Sequence, residues 1–461
     1  MHLAAADTDT IVALATPLGE AGLAVVRISG SDALKITDTI FKPARSQAPP
    51  PSQAPSHTLH YGHVMAEGRR VDEVLVAVMR APRTFTREDV AEISCHGGVF
   101  VARQVLAAAL AAGARHAQPG EFTRRAFLNG RLDLTQAEAV ADLIHARTER
   151  ALSAANEQLA GSLSRQVNPL RDQFMAALAH VEAYIDFPDE DISPDTQEQL
   201  AGRLTAGIQI MERLLDSALE GRVLRRGIRI AIIGSPNAGK SSLLNQLLAR
   251  ERAIVSPVPG TTRDTIEETA NIRGYPVVFV DTAGLREATD HIEQEGIRRT
   301  RAAAGDADLL LHVLDQSQPL TDLDRSYLEE FNGRPRLLVG NKSDLPPAVD
   351  PPASETAGLI RISCLSSAGL EDLKDAIVRE MVSGRIHAGT HEAAINARHE
   401  DALRRAQEAA QRALDALRAS LPPELVATDL RLAVHAIGEI VGKTTTEDLL
   451  DSIFSQFCIG K

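Results

Sequence analysis

The stretch GSPNAGKSS directly follows the apolar run IRIAII and leads into a helical pattern. It fits G-x-x-x-x-G-K-[ST], with Gly234, Gly239, Lys240 and Ser241 in the fixed places. No other feature constrains the fold as strongly. A strand must end in a turn whose backbone N–H groups close around phosphate oxygens, and a helix must start there. Lys240 then reaches the β and γ phosphates, and the Ser241 hydroxyl binds Mg²⁺. Further apolar runs, PVVFVD, LLLHVLD, RLLVGNK and LIRIS, alternate with helical stretches from about 227 to 384. Near-continuous apolar strands separated by helices predict a parallel sheet covered on both faces.

Three more elements follow in order. PGTTRD supplies Thr262, whose hydroxyl and carbonyl can sense the γ-phosphate and Mg²⁺. DTAG places Asp281 in the outer shell of the metal and the Gly284 amide near the γ-phosphate. NKSD supplies Asp344, which can accept from N1–H and the 2-amino group of guanine. Adenine offers neither donor there, so the base read is guanine and the nucleotide GTP, with ATP the remote alternative. A last loop, Ser363, Cys364 and Leu365, closes over the base. The predicted GTP contacts are Asn237, Ala238, Gly239, Lys240, Ser241, Ser242, Ser256, Pro257, Val258, Pro259, Gly260, Thr261, Thr262, Asp281, Thr282, Ala283, Gly284, Asn341, Lys342, Ser343, Asp344, Ser363, Cys364 and Leu365. The set resembles the translation-factor-related G domains. Leu285 stands where Ras-like enzymes carry a water-orienting Gln, so hydrolysis is slow or another group does that work. Asn237 has two readings: a turn former after Pro236, or a neutral oxygen ligand for a monovalent cation beside the phosphates.

The flanks differ in texture. Up to about Asn129, short β-rich runs (GLAVVRIS, VDEVLVAVM, DVAEISCHG) alternate with the helical VFVARQVLAAALAAG, an α+β pattern. A Pro/Ser/Ala loop, KPARSQAPPPSQAPSH, is expected to be flexible. From about Leu132 helical periodicity takes over, with a capping box expected from Thr135 to Glu138, and it returns after about Gly384. The chain therefore reads as multidomain: an α+β domain at 1–131, a helical domain built from 132–226 and 385–461, and an α/β P-loop G domain inserted at 227–384. At 461 residues, 44% hydrophobic and 24% charged, with no run long enough to span a membrane, it fits a soluble protein of about three domains. No export signal is evident. Cys95, Cys364 and Cys458 are too scattered for a disulfide framework, which points to a reducing cytoplasm. CHGG (Cys95–Gly98) reads as a turn, an incomplete metal shell. A formal charge of −13 repels nucleic acid overall, so RNA contact would need local patches such as Arg222, Arg225, Arg226 and Arg229, Arg124 and Arg125, or Arg298, Arg299 and Arg301, each alone better read as a solvated helix face. The terminal FCIGK places Gly460 and Lys461 where a prenylation box needs other residues.

Long motifs in the same order (DTIVALATPLGEAGLAVVRISG, PGEFTRRAFLNGRLDLTQAEAVADLI, GSPNAGKSSLLN, PGTTRD, DTAGLRE and the final CIGK) resemble the MnmE (TrmE) family of tRNA-modifying GTPases over essentially the full length. That resemblance implies a homodimer joined through an N-terminal domain of tetrahydrofolate-binding type. It implies a flavin-carrying partner, MnmG (GidA), which holds FAD, joins in a heterotetramer, and acts with this chain at carbon 5 of the wobble uridine of certain tRNAs. The one-carbon donor would be 5-formyl- or methylene-tetrahydrofolate, and the product an aminomethyl-type group of the carboxymethylaminomethyl class. The resemblance also implies K⁺-dependent G-domain pairing, with Asn237, Ser256, Val258 and Thr261 as K⁺ ligands and Ser241 and Thr262 on Mg²⁺. Glu293 would position the attacking water, and Cys458 would act as a thiol near the folate. Arg27, Glu92, Arg131 and Lys461 match folate-contacting positions; the blander reading of Arg27 and Glu92 is as surface ends of strands. Two departures stand out: Cys364 replaces a common Ala, and Pro257 and Pro259 stiffen the K⁺ loop. The competing function is a GTP-switched RNA-binding or ribosome-assembly factor.

Overall fold

The computed structural model describes residues 9–45, 47–186, 197–251, 268–280, 293–348, 358–382 and 395–461. They form two compact units. One comprises Met1–Ala141, Leu159–Pro194 and Leu421–Lys461; the other comprises Asp142–Gln158 and Asp195–Ser420.

The first unit is built on a seven-stranded sheet of order β3-β4-β5-β6-β2-β1-β7. Its strands are β1 (Ile11–Leu14), β2 (Ala21–Ser29), β3 (Phe41–Pro43), β4 (Thr58–Ala66), β5 (Arg69–Met79), β6 (Val90–Gly97) and β7 (Arg115–His116). Only β1 and β7 pair in parallel. Alternate residues such as Val26, Ile28, Val64, Val76 and Ile93 bury one face beneath α1 (Ala33–Ile40) and α2 (Val99–Ala111). The opposite face carries Arg27 and Glu92, directly opposed across β2 and β6.

Three expectations need correction. CHGG is not a turn: its first three residues, Cys95–Gly97, end β6, and Gly98 caps α2, because the apolar alternation of the strand runs through Cys95. His96 Nδ1 pairs with Asp72 at 2.7 Å, and among the described residues no group of three metal-ligating side chains forms. The proline-rich loop is held rather than loose: Arg80 donates to the carbonyls of Ser52 and Ala54, and Asp38 accepts from the Ser52 N–H. The capping box sits earlier than Thr135. Asp133 accepts from the Gln136 N–H while the Gln136 side chain accepts from the Asp133 N–H, each at 3.0 Å.

Helices α3 (Glu121–Leu128), α4 (Leu134–His145), α5 (Glu149–Leu159), α6 (Ser162–Asp186), α7 (Gln197–Asp216) and α8 (Ala218–Arg226) precede the second sheet. That sheet comprises β8 (Ile228–Ile233), β9 (Glu268–Ile272), β10 (Tyr275–Phe279), β11 (Leu309–Asp315), β12 (Arg336–Asn341) and β13 (Ile360–Arg361), in the order β13-β12-β11-β8-β10-β9. All pairs are parallel except β9 with β10. The sequence pattern misses β9 because Glu268, Thr269 and Asn271 interrupt its apolar run; it survives as an antiparallel edge. Helices α9 (Lys240–Glu251), α10 (Glu293–Asp306), α11 (Asp322–Glu330) and α12 (Leu370–Val382) complete the α/β region. Leu243, Leu244 and Leu247 of α9 pack with Ile230, Val277 and Leu311.

Helices from before and after this region pack on each other. In the first unit α6 lies against α14 (Pro423–Val441), joined by Arg431–Glu182 at 2.7 Å; in the second, α7 lies against α13 (Ala397–Arg418). Helix α15 (Glu447–Phe454) seats Leu450, Ile453 and Phe454 against Phe127, Leu134 and Ala137.

Candidate functional site

The phosphate loop connects β8 to α9, as the sequence spacing predicts. Gly234 has φ +140, and a Cβ there would lie 2.1 Å from the Val313 carbonyl oxygen of β11. Gly239, at φ +98, would bring a Cβ within 2.0 Å of Asn341 Nδ2. Both positions need glycine because neighbouring strand ends press against the loop. Lys240 opens α9 and donates to the carbonyls of Gly234 (2.9 Å) and Ser235 (2.8 Å). Burial lowers its pKa, while the charge of Asp324 acts the other way. Asn237 is exposed and takes up a left-handed backbone conformation at φ +61.

The guanine-side loops meet the same structure. Asn341 is buried at the end of β12; its Nδ2 donates to the Ala238 carbonyl (2.9 Å), and its Oδ1 accepts from the Cys364 N–H (3.2 Å). One side chain thus ties the phosphate loop to both base-side loops. Asp344 is exposed and accepts from Ser363 Oγ at 2.5 Å, while the Ser343 N–H donates to the Ile362 carbonyl. Lys342 pairs with Asp315 at 2.6 Å, which together with Ser317 holds that carboxylate below its ordinary range despite burial. Gln246 of α9 donates to the Cys364 carbonyl. Leu365, in the closing loop, is 87% exposed. Ser256, Pro257, Val258, Pro259, Gly260, Thr261, Thr262, Asp281, Thr282, Ala283, Gly284 and Leu285 lie outside the described residues, as does the side chain of Glu293, which opens α10.

A second cluster forms in the first unit. Arg27 Nε donates to Glu92 Oε1 at 2.8 Å, and Arg27 Nη1 donates to the Gly460 carbonyl at 3.2 Å. Ile459 bridges Pro119, and the Gly120 N–H meets the Cys458 carbonyl at 3.4 Å, so CIGK lies on the N-terminal domain. The Arg27 guanidinium sits 5.6 Å from the Phe122 ring centroid, and that of Arg131 sits 4.8 Å from Phe85. Both rings belong to one small apolar cluster with Ile11 and Ala13. The structure thus gathers Arg27, Glu92, Arg131 and the C-terminal turn with Lys461. Burial, then Arg87, lowers the pKa of Arg131. Cys458 is exposed.

Sequence reasoning passed over Phe85, over Phe122, which sits unremarked within PGEFTRR, and over Asp324, whose T-x-x-D spacing from Thr321 does signal a capping box. The basic candidates TRR and RVLRRGIR are partly spent on internal pairs: Arg125 is buried among Asp9, Glu88 and Glu121, Arg124 meets Asp451, and Arg225 meets Asp142.

A phosphate loop opening a helix, with an NKSD loop and a closing Ser–Cys loop tied to it through one asparagine, defines a P-loop GTPase. Residues 10–131 match the family described as the GTP-binding protein TrmE N-terminus, and residues 134–458 match the MnmE helical domain. This chain belongs to the MnmE family. The tRNA modification GTPase MnmE of Chloroflexus aurantiacus is 49% identical over 458 residues, covering 98% of this chain and 100% of that protein. The Bacillus subtilis protein of the same name is 45% identical over 460 residues, covering 98% and 100% respectively. A solved structure of Era from Aquifex aeolicus aligns at 25% identity and a TM-score of 0.25, covering 40% of this chain and 66% of that one.

The cysteines give a direct check on the packing. Burial, reinforced by Asp72, pushes the Cys95 thiol up to about 11; burial and Asp344 push Cys364 up to about 11. Both stay protonated at pH 8. Iodoacetamide at that pH is expected to label the exposed Cys458 first, read by peptide mapping. Equal labelling of Cys95 would contradict its burial.

Proposed function

We propose that this GTPase spends GTP on modifying C5 of the wobble uridine of certain tRNAs, with a folate one-carbon unit and a flavoprotein partner, MnmG, that carries FAD. The product would belong to the carboxymethylaminomethyl class, and the work would be done in the cytoplasm. The observation that carries this reading is the C-terminal CIGK turn held by Arg27 beside Glu92 and over the Phe122 cluster. A folate has carboxylates for cations such as Arg131 and Lys461, pterin N–H groups for Glu92, and a flat ring for Phe85 and Phe122. Cys458, exposed in the same turn, is the thiol assigned to that chemistry. A homodimer through this domain is supported by the outer sheet face, where Leu23, Leu59, Tyr61 and Leu75 are 64%, 70%, 52% and 46% exposed.

In the G domain, Lys240 and the α9 N-terminus would hold the β and γ phosphates, and Ser241 with Thr262 would hold Mg²⁺, which would neutralise phosphate charge. The residues present fit this group: the loop opens a helix N-terminus, where free backbone N–H groups favour anions, and the lysine ammonium rests on loop carbonyls beside it. Asn237, with Ser256, Val258 and Thr261, would hold K⁺, which supplies the positive charge that an arginine finger supplies elsewhere. Glu293 would orient the attacking water in place of the missing glutamine.

GTP turnover is expected to rise at least about tenfold in KCl over NaCl at equal ionic strength. Equal rates would remove the cation from the mechanism. Cys458→Ser is expected to abolish the tRNA modification, read by nucleoside analysis, with GTP turnover retained; unchanged modification would end the thiol assignment.

A further inference from the structure

One buried carboxylate behind the phosphate loop does more than its capping-box motif accounts for. Asp324 lies in the first turn of α11, 4% exposed. Its Oδ2 accepts from the N–H (3.1 Å) and hydroxyl (2.7 Å) of Thr321, and its own N–H donates back to Thr321 Oγ1 (3.1 Å), a closed capping box. Helix capping uses that one oxygen. The other points elsewhere: Oδ1 accepts from both the N–H (3.2 Å) and the hydroxyl of Ser235.

Ser235 is the residue after Gly234, inside the phosphate loop and buried. Its carbonyl, with that of Gly234, is what the Lys240 ammonium rests on. The fully buried His312 of β11 stands on the same carboxylate, with Nε2 3.9 Å from Oδ1, and neither ring nitrogen has a hydrogen-bond partner. Burial alone would raise the Asp324 pKa, but the neighbouring His312 ring and the donors of Ser235 and Thr321 hold it below the usual carboxylate range. An ionised, multiply bonded carboxylate grips charge-assisted donors more firmly than a neutral acceptor does.

We propose that Asp324 is a positioning residue for the nucleotide phosphates: by gripping Ser235 from behind, it fixes the two carbonyls that aim Lys240 at the β and γ phosphates. The inference rests on the guanine-nucleotide reading of the loop. It assigns Asp324 a task beyond capping its own helix, and it makes Ser235 and Asp324 act as one unit.

The test is equilibrium binding of fluorescent GDP and GTP analogues to the full chain, well below the unfolding temperature. Asp324→Ala is expected to weaken both by about tenfold or more, and Ser235→Ala by a few-fold. The double variant should bind no worse than Asp324→Ala, because each change breaks the same clamp. Leu328→Ala, buried one turn further along the same helix and bonded to neither Ser235 nor Lys240 in its side chain, serves as the structural control. It should lower thermal stability and leave affinity within about twofold. Additive losses, or affinity that simply tracks stability through the Leu328 variant, would overturn the proposal. Should Asp324→Ala not fold, Ser235→Ala against wild type carries the test, and unchanged affinity there overturns it. A wild-type chain that binds neither analogue would overturn the nucleotide reading itself, a distinct result.

Discussion

Asp344→Asn is expected to lower GTP affinity by about a thousandfold or more and to create affinity for xanthosine triphosphate. Guanine presents two donors, N1–H and the 2-amino group, and a carboxylate accepts both. An asparagine amide offers one acceptor and one donor, so its NH₂ would face the 2-amino group, donor against donor. Xanthine has an oxygen at that position and restores the match. The loop geometry keeps the substitution local: Ser363 steadies Asp344 through one oxygen, and Asn341 fixes the flanking loops independently. Equilibrium binding of both nucleotides to the variant checks it. GTP affinity within about tenfold of wild type would show that Asp344 does not read the base.

The second large effect lies in the N-terminal domain and concerns stability. Arg125 is 4% exposed, and its guanidinium meets Asp9 (2.6 Å), Glu88 (3.1 Å) and Glu121 (2.9 Å). Glu121 is itself 6% exposed and shared with Arg115. Arg125→Met keeps the volume of the stem but leaves the half-buried Glu88 without its cation and the buried Glu121 with Arg115 alone, which costs about 3 kcal/mol. Urea unfolding at pH 7 reads this directly, and a loss under about 1 kcal/mol would contradict the network. The pH dependence has a definite sign. Burial would raise the Glu121 pKa, but Arg115, the Gln118 N–H and Arg125 hold it below its ordinary 4.5. A depressed carboxylate pKa contributes stability that is fully present above the unfolded value and lost as pH falls through the folded one. The gap between wild type and Arg125→Met should therefore narrow below about pH 4.5, as Glu121 protonates.

Much of the G domain was legible in the chain. The apolar runs at 228–233, 275–279, 309–315 and 336–341 became parallel strands, because strands buried on both faces must be apolar throughout. The phosphate loop was legible because close backbone approach admits only glycine at 234 and 239, and a loop lysine and serine at fixed spacing leave little choice of chemistry. What failed was local and small. β9 was hidden by its polar residues, the capping box was placed at Thr135 although Asp133 makes it, and the proline-rich loop read as loose although Arg80 and Asp38 hold it. The edge strand and the loop are fixed by partners outside their own run, which periodicity does not report; the cap was a choice between two nearby side-chain oxygens, and Asp133 rather than Thr135 starts the helix.

The sequence by itself determined the phosphate loop and the apolar strands beneath it, and it singled out Asp344 as the proposed reader of guanine. These follow from short-range rules of backbone sterics, hydrophobic period and hydrogen-bond type. Only the tertiary structure decided that the last residues meet Arg27 across 433 positions of chain, that Arg27 and Arg131 stand over two rings of one apolar cluster, and that Asp324 reaches 89 positions back to hold Ser235. Such contacts arise when buried polar groups must find partners wherever the packed chain brings them, and no local pattern in the sequence records that search.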